Sequence, residues 1–200
     1  MNKHKLIIIE DHPIMREGIA SFFEGTGRWQ VLGKTGSLDE AKKILIKTKV
    51  DFVLLDLHLE DGWGLDVISW LNEQNIERKP IMAVYSAFND FSHVSAALNL
   101  GVRVYICKCR SESEIEEALL KALTGKPYID NSVQMKLKVV ADICALLTKR
   151  EGEILTMVKS GLSNKEIALR LGIKLRTVEN ILSCIYDKTG LESRTELQNI

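Results

Sequence analysis

Acidic, hydroxyl and ammonium side chains follow four short, mainly apolar runs in the first half of the sequence. They are Glu10 and Asp11 after residues 6–9, Asp56 after residues 52–55, Ser86 after residues 81–85, and Lys108 after residues 102–107. Such runs bounded by charge predict strands that are buried on both faces of a parallel sheet. Because the carboxyl ends of parallel strands form one ligand-binding edge, we expect these five side chains to converge on one crevice.

This combination of side chains favours phosphoryl chemistry. Carboxylates that lie close together raise one another's pKa unless a cation joins them, and Mg²⁺ prefers such oxygen ligands. Beside the metal, Asp56 could act as a nucleophile toward phosphorus and form an aspartyl phosphate, with Lys108 and Ser86 placed to meet the phosphoryl oxygens. Each residue alone is more often an ordinary surface group, but their joint position at four strand ends favours a site.

The elements that must position these side chains alternate regularly up to residue 125. Predicted strands cover residues 6–9, 29–34, 52–55, 81–85 and 102–107, and predicted helices cover 13–23, 38–48, 65–71, 90–100 and 113–123. This alternation predicts an α/β fold with a five-stranded, doubly wound parallel sheet of flavodoxin-like type. In the expected strand order 2-1-3-4-5, the strand ends that carry Glu10, Asp11 and Asp56 are neighbours.

The rest of the sequence carries no strand pattern. Residues 126–145, which include Pro127 and a short apolar helix, are predicted to be a linker. Beyond it, three pairs fit the capping box that opens a helix: Thr148 with Glu151, Ser163 with Glu166, and Ser193 with Glu196. Predicted helices at 149–160, 164–171, 175–189 and from 194 indicate an all-α, four-helix domain at residues 146–200, whose second and third helices form a helix-turn-helix.

The composition is that of a globular protein with one large or two modest domains. The 200 residues are 46% hydrophobic and 27% charged, with a formal net charge of +0. Residues 146–200 carry nine Lys and Arg against seven Asp and Glu, a sign that suits binding of a polyanion. No stretch predicts a membrane span or a signal peptide, and the four cysteines lack zinc-ligand spacing. We therefore expect reduced thiols and a cytoplasmic location.

Residues 1–125 resemble the receiver domain of two-component response regulators, most clearly over about residues 4–124. The motifs that carry the resemblance are Glu10-Asp11-His12-Pro13, Asp56-Leu57-His58-Leu59 with Gly64-Leu65, and the segment from Gly101 to Lys108. The resemblance implies that Asp56 is the phospho-acceptor and that Glu10, Asp11, Asp56 and the backbone carbonyl of His58 hold Mg²⁺. It also implies that Lys108 contacts the phosphoryl group and that Ser86 and Tyr105 are the switch pair.

The receiver sequence departs from the family at two positions. Glu60 stands where Pro is usual, and we expect a more mobile acceptor loop. Cys109 follows Lys108 where Pro, Asp or Ser is more common.

Within the C-terminal domain, the segment from Leu147 to Val178 resembles the LuxR-type helix-turn-helix. Together with the receiver, it makes the whole chain resemble transcriptional regulators of the NarL/FixJ class. The spacing of Val178, Leu182 and Ile185 predicts the buried stripe of the recognition helix. The residues expected at DNA are Lys165, Lys174, Arg176 and Lys188 at phosphates, Asn180 and Ser183 at base edges, and Thr177 and Glu179 on the same face.

The recognition helix also departs from the family. Glu179 is usually Lys and Ile181 is usually His, which predicts altered base specificity and weaker nonspecific attraction to phosphates. Lys174 stands where Ser or Thr is usual, so we expect a poorly capped helix start.

These features predict a regulator, not an enzyme, that a cognate sensor histidine kinase phosphorylates on Asp56. Ser86 would move toward the phosphoryl group, Tyr105 would turn into the vacated space, and the C-terminal domain would then bind double-stranded DNA as a homodimer. An alternative is a protein-interaction module whose C-terminal domain binds another regulator. A phosphatase with an aspartyl nucleophile is a third hypothesis, but dehalogenase-type enzymes need an Asp where His58 stands.

Overall fold

The computed structural model describes residues 3–76 and 78–199, and the chain divides into two compact units. The first comprises the residues up to Asn89 together with His93–Asn131, and the second comprises Asp90–Ser92 and the residues from Ser132 onward. Among the helices in the described ranges, none is long and apolar enough to cross a membrane.

Strands and helices alternate along the chain up to residue 129. In order they are β1 (His4–Ile9), α1 (Pro13–Gly25), β2 (Trp29–Thr35), α2 (Leu38–Lys47), β3 (Phe52–Leu55), β4 (His58–Leu59), β5 (Gly62–Trp63), α3 (Gly64–Glu73), β6 (Ile81–Ser86), α4 (Phe91–Asn99), β7 (Val104–Cys107), α5 (Glu112–Leu123) and β8 (Tyr128–Ile129). The five predicted helices and the five predicted strands are all present, so the α/β prediction is confirmed.

The main sheet is parallel throughout and has the strand order β2-β1-β3-β6-β7-β8. Its first five strands have the predicted doubly wound order. The prediction of five strands is wrong by one, because Tyr128–Ile129 pairs with β7 as a sixth strand. A two-residue strand directly after Pro127 is too short to produce a period-2 pattern, so the local sequence does not predict it.

The core strands are buried on both faces, as their continuous apolar runs predicted. Leu6 and Ile8 of β1 lie in the same cluster as Phe52 and Leu54 of β3, together with apolar residues of α1 and α5. The alternate residues of both strands are also fully buried. Side chains alternate between the faces of a strand, so helices on each side of the sheet must cover both sets.

The loop after β3 contains a small antiparallel hairpin, formed by β4 and β5. The Gly64 amide donates to the Leu57 carbonyl over 2.8 Å, which closes the loop behind Asp56. A Cβ atom at position 64 would collide with the backbone carbonyl oxygen of Asp56, so only glycine fits there. The predicted acceptor loop is therefore a folded hairpin, fixed at its end by close backbone packing.

The second unit is helical and begins inside the predicted linker. Its helices are α6 (Asn131–Leu146), α7 (Lys149–Lys159), α8 (Asn164–Leu171), α9 (Leu175–Thr189) and α10 (Arg194–Asn199), of which Asn131 is assigned to the first unit. Residues 126–145 thus hold the β8 strand and most of a 16-residue helix, longer than the short helix expected there. Helices α7 to α10 give the predicted four-helix domain.

Two of the three predicted capping boxes close in both directions. Thr148 with Glu151 opens α7, and Ser163 with Glu166 opens α8. At α10 only half of the pattern forms, because the Glu196 amide donates to Ser193 Oγ while the Glu196 carboxylate accepts from the Glu192 amide. The helix starts were therefore predictable from sequence, but the sequence did not show that the Glu196 carboxylate would bond to Glu192 and leave the third capping box half formed.

Candidate functional site

Three charged side chains meet at the carboxyl end of the sheet. Lys108 Nζ lies 2.7 Å from Asp56 Oδ2 and 2.8 Å from Glu10 Oε2. The side chains of Glu10 and Asp56 are 2% and 5% exposed, and that of Lys108 is 13% exposed. β1 and β3 pair in register up to Ile9 and Leu55, so the residues that follow them lie side by side. The predicted crevice therefore holds a nearly buried ammonium between two carboxylates.

The two carboxylates control the charge of Lys108. Burial by itself would lower the pKa of this ammonium, because it disfavours the charged form. Hydrogen bonds to Asp56 and Glu10, and their negative charges, outweigh burial and raise the pKa above its ordinary value. Lys108 is thus held as a cation against the residue predicted to accept a phosphoryl group.

The acidic side chains could also hold a divalent cation. Ligand atoms of Glu10, Asp11, His12 and Asp56 all lie within 4.8 Å of one another. Asp11 Oδ1 is buried and receives no well-formed hydrogen bond from the described residues, although His12 Nδ1 lies 2.7 Å away. A hydrogen bond to Glu10 and the charge of Asp11 raise the pKa of His12. A cluster of carboxylate oxygens of this kind fits the ligand preference of Mg²⁺.

The fourth predicted metal ligand lies next to this cluster. His58 is in β4, two residues after Asp56, and its side chain is exposed. Its ring packs edge-on against Trp63, with ring centroids 5.9 Å apart. The backbone carbonyl of His58 remains a predicted ligand.

Ser86 and Tyr105 are both fully buried near the crevice. Ser86 is the last residue of β6, and its Oγ accepts a long 3.4 Å hydrogen bond from the Phe88 amide. Tyr105, in the neighbouring strand β7, donates its hydroxyl to the Phe88 carbonyl over 2.7 Å. The two predicted switch residues thus both contact the segment that follows β6, and Tyr105 occupies an inward position.

An aromatic cluster beside the acceptor loop was not predicted. It consists of His58, Trp63, Phe88 and His93; Trp63 and Phe88 have ring centroids 5.5 Å apart, and Phe88 and His93 have centroids 4.6 Å apart. The four rings come from three separate segments, so no spacing in the sequence brings them together. Trp63 remains 41% exposed, which leaves an aromatic surface beside the crevice.

The helix-turn-helix has the predicted buried stripe and exposed face. Val178, Leu182 and Ile185 of α9 are buried in the core of the second unit. The predicted DNA-facing residues are exposed: Lys165, Lys174, Arg176, Thr177, Glu179, Asn180, Ser183 and Lys188. Gly172, with a φ of +64°, makes the turn after α8. Lys174 makes no side-chain cap at the start of α9 among the described residues, as predicted.

Lys188 has a partner within its own unit. Its ammonium lies 2.8 Å and 2.7 Å from the two carboxylate oxygens of Glu151. The Lys188 hydrogen bond, followed by those from Thr148, lowers the pKa of Glu151 to about 2. The structure therefore engages Lys188 in an ion pair between α7 and α9, away from its predicted role at DNA phosphates.

Comparisons with known proteins agree with this architecture. The family model for the response regulator receiver domain matches residues 6–120, which is more than half of the chain. The chain therefore belongs to the response regulators, and a second model, for bacterial regulatory proteins of the luxR family, matches residues 145–200. These are families of regulatory proteins.

Individual relatives match over nearly the whole chain. The response regulator protein VraR of Staphylococcus aureus is 31% identical over 196 residues, covering 96% of this chain and 93% of the relative. RcsB of Salmonella enterica serovar Typhimurium, solved on a promoter with the phosphomimetic BeF₃⁻, has a TM-score of 0.72 at 24% identity and covers 99% of this chain and 97% of its own. The complex of the response regulator RcsB with DNA gives a TM-score of 0.74, also at 24% identity. The likeness to RcsB concerns the fold.

Proposed function

We propose that a sensor histidine kinase phosphorylates Asp56, and that phosphorylation switches residues 146–200 to bind DNA and regulate transcription. The observation that carries this proposal is the nearly buried Lys108 ammonium, 2.7 Å from Asp56 Oδ2. A phosphoryl group adds about two negative charges, which an ammonium already held beside Asp56 can neutralise after a small shift. Residues 1–125 serve as the receiver and residues 126–145 as the connection between the two parts.

Glu10, Asp11, Asp56 and the backbone carbonyl of His58 would hold Mg²⁺ beside the acceptor. When bound, the ion neutralises charge on the phosphoryl oxygens. The clustered carboxylates and the burial of Asp11 Oδ1 support this assignment. Asp56 is then the nucleophile, while Lys108, itself held by Glu10, fixes the position of its carboxylate.

Ser86 and Tyr105 would transmit the phosphorylation of Asp56 to the surface of the protein. Among the described residues, Ser86 Oγ accepts one long 3.4 Å hydrogen bond, from the Phe88 amide, which it would give up on turning toward a phosphoryl oxygen. Loss of this bond releases the amide of Phe88, whose carbonyl accepts from Tyr105. The change at Asp56 would in this way alter the surface at α4 and β7 as a shift between two populations.

For the DNA contact we retain seven of the predicted residues and leave out Lys188, which is paired with Glu151. They are Lys165, Lys174 and Arg176 for phosphates, Asn180 and Ser183 for base edges, and Thr177 and Glu179 on the same face. RcsB, which shares this fold, has been solved on DNA and as two dimers on two parallel DNAs. We propose the same target, double-stranded DNA, and a homodimer that reads paired half-sites.

Mass spectrometry after incubation with a small acyl-phosphate donor and Mg²⁺ tests the acceptor assignment. The wild type should gain one phosphoryl group on Asp56, and Asp56→Asn should gain none. Phosphorylation that persists at another residue in Asp56→Asn would contradict the assignment.

The alternative function, a protein-interaction module, is supported by Glu179, because its negative charge repels DNA phosphates. Glu179→Lys separates the two functions, because reversing the charge should raise affinity for all DNA duplexes only if this face meets DNA. Glu192→Lys is the matched control, since Glu192 lies outside α9 and its substitution adds the same charge. Equal DNA affinity in the wild type and Glu179→Lys would favour a protein partner.

A further inference from the structure

Tyr85 holds the loop that carries Lys108. Tyr85 precedes Ser86 in β6, so its side chain lies on the opposite face of the sheet from the switch serine. Its hydroxyl oxygen lies 3.3 Å from the Lys108 carbonyl oxygen and 3.2 Å from that of Arg110, and its single proton is shared between the two. The residue is 6% exposed, and burial raises its pKa to about 12, so it remains a donor at neutral pH. One buried hydroxyl therefore bridges both ends of a three-residue loop.

Arg110 forms a second tie from the same loop. Its Nε lies 2.6 Å from Asp130 Oδ2, and a terminal nitrogen lies 2.9 Å from Asp130 Oδ1. Asp130 is completely buried, and the paired carboxylate raises the pKa of the Arg110 guanidinium. A bidentate pair of this kind fixes both distance and orientation, unlike a contact between point charges. The Lys108 loop is thus attached to the residue directly before α6.

The backbone of Asp130 is tied to the switch strand as well. Its amide donates to the carbonyl of Tyr105 over 2.8 Å. The start of α6 is therefore linked both to β7, which carries Tyr105, and to the loop that follows β7.

The sequence explains why this loop needs support. Cys109 follows Lys108 at a position where a proline would fix the backbone by its ring. Here Cys109 lacks that ring, and the Arg110 amide closes the turn by donating to the Cys107 carbonyl over 3.0 Å. The Tyr85 hydroxyl and the Arg110–Asp130 pair supply the missing restraint from the two sides.

We propose that Tyr85, Arg110 and Asp130 form a clamp that positions the Lys108 ammonium over Asp56 and transmits its displacement to the start of α6. The inference rests on the proposed function, because it needs a phosphoryl group at Asp56. A phosphoryl group places new oxygens between Asp56 and the ammonium, so Lys108 must shift and its loop must follow. Through the rigid pair, Asp130 follows the loop, and α6 leads from there into the second unit.

The test uses the full chain, with BeF₃⁻ and Mg²⁺ as the phosphoryl mimic. Tyr85→Phe removes only the bridging hydroxyl, Asp130→Asn removes one charge at constant shape, and Arg110→Lys keeps the charge without the bidentate geometry. Glu117→Gln is the matched control, because it removes the carboxylate of another ion pair, that of Lys121 on α5. Two quantities are measured: BeF₃⁻ affinity by ¹⁹F NMR, and hydrogen exchange of peptides covering residues 54–64 and 128–134 at saturating BeF₃⁻. Urea unfolding of each protein separates positioning from loss of stability.

In the wild type, BeF₃⁻ should change hydrogen exchange in both peptides. Tyr85→Phe should weaken BeF₃⁻ binding by about fivefold, the equivalent of one hydrogen bond. Asp130→Asn should keep the change in hydrogen exchange at residues 54–64 and lose the change at residues 128–134. Arg110→Lys should retain part of the change at residues 128–134. Glu117→Gln should match the wild type in both peptides.

The clamp alone would be overturned by two results together. Asp130→Asn and Arg110→Lys would both show the same change in hydrogen exchange at residues 128–134 as the wild type, and Tyr85→Phe would bind BeF₃⁻ with unchanged affinity. A wild type that responds at 54–64 but not at 128–134 would also overturn it. Failure of the wild type to bind BeF₃⁻ would instead overturn the proposed acceptor function, and the clamp with it. Should Asp130→Asn fail to fold, Tyr85→Phe and Arg110→Lys still decide the outcome.

Discussion

At the scale of single residues, Lys108 neutralises carboxylates that would otherwise repel one another in a nearly buried site. Lys108→Ala should lower the free energy of unfolding by about 3 kcal/mol in the absence of divalent ions, because it leaves Asp56 and Glu10 without their cation. Added Mg²⁺ should restore part of the loss by taking over that role. Urea denaturation with EDTA or Mg²⁺ measures both effects.

The control for this experiment is Lys121→Ala, which breaks an exposed ion pair with Glu117. Its cost should be small compared with that of Lys108→Ala, because both partners are exposed, and should not depend on Mg²⁺. A Lys108→Ala protein as stable as the wild type in EDTA would contradict the structural account of the site.

The lowered pKa of Glu151 predicts that the stability of the second unit depends on pH in the acid range. Its pKa is lowered from 4.5 to about 2, first by the hydrogen bond from Lys188. A lowered folded-state pKa stabilises the protein above the unfolded value, and this contribution is lost as the pH falls through the folded value. Glu151→Gln should therefore cost stability at pH 7 and progressively less between about pH 4.5 and pH 2.

Chemical denaturation monitored by circular dichroism, at several pH values, checks this difference between the wild type and Glu151→Gln. Glu153→Gln is the control, since its pair with Arg150 lies within a single helix. A constant difference across the pH range would show that the Lys188 pair does not set the titration of Glu151.

At the residue scale the sequence predicted which groups meet at strand ends, and not which side chains pair across the fold. Asp56 and Lys108 were predictable because both end apolar strands, and parallel topology then brings them together. The pairs Lys188–Glu151 and Arg110–Asp130 join positions 37 and 20 residues apart. No periodicity encodes such pairs, because they depend on the packing of already formed elements.

At the scale of elements, the hairpin of β4 and β5 requires glycine at position 64, and this requirement can be tested. Gly64→Ala would drive a methyl group into the Asp56 carbonyl, so the acceptor loop must shift. We expect BeF₃⁻ affinity to fall at least tenfold, since a displacement of about 1 Å at a reacting group has effects of this size or larger.

Gly18→Ala provides the control for the acceptor loop. Gly18 lies inside α1 with nothing within 4 Å of the added Cβ, so alanine should leave BeF₃⁻ affinity unchanged and raise stability by up to about 1 kcal/mol. ¹⁹F NMR titration of both variants gives the comparison. Equal BeF₃⁻ affinities would mean that the loop tolerates a shift at Asp56.

The elements themselves were predictable where apolar periodicity was long and a cap or glycine marked the end. Helices α7 and α8 begin at their predicted capping boxes, and Gly172 closes α8. β8 and the β4–β5 hairpin are two-residue strands whose pairing is decided by the neighbouring backbone. Their sequences carry too few residues for any period to be detected.

At the scale of the whole molecule, the proposed function makes the binding of DNA by residues 146–200 depend on a phosphoryl group at Asp56. The direct measurement is salt-dependent binding to a pool of duplexes with random cores, with Mg²⁺, in the presence and absence of BeF₃⁻. We expect selective binding that depends on BeF₃⁻, weakens with salt and is lost in Asp56→Asn. Absence of selective binding in either state, by a protein shown to be folded and to bind BeF₃⁻, would contradict DNA recognition and point to a protein partner.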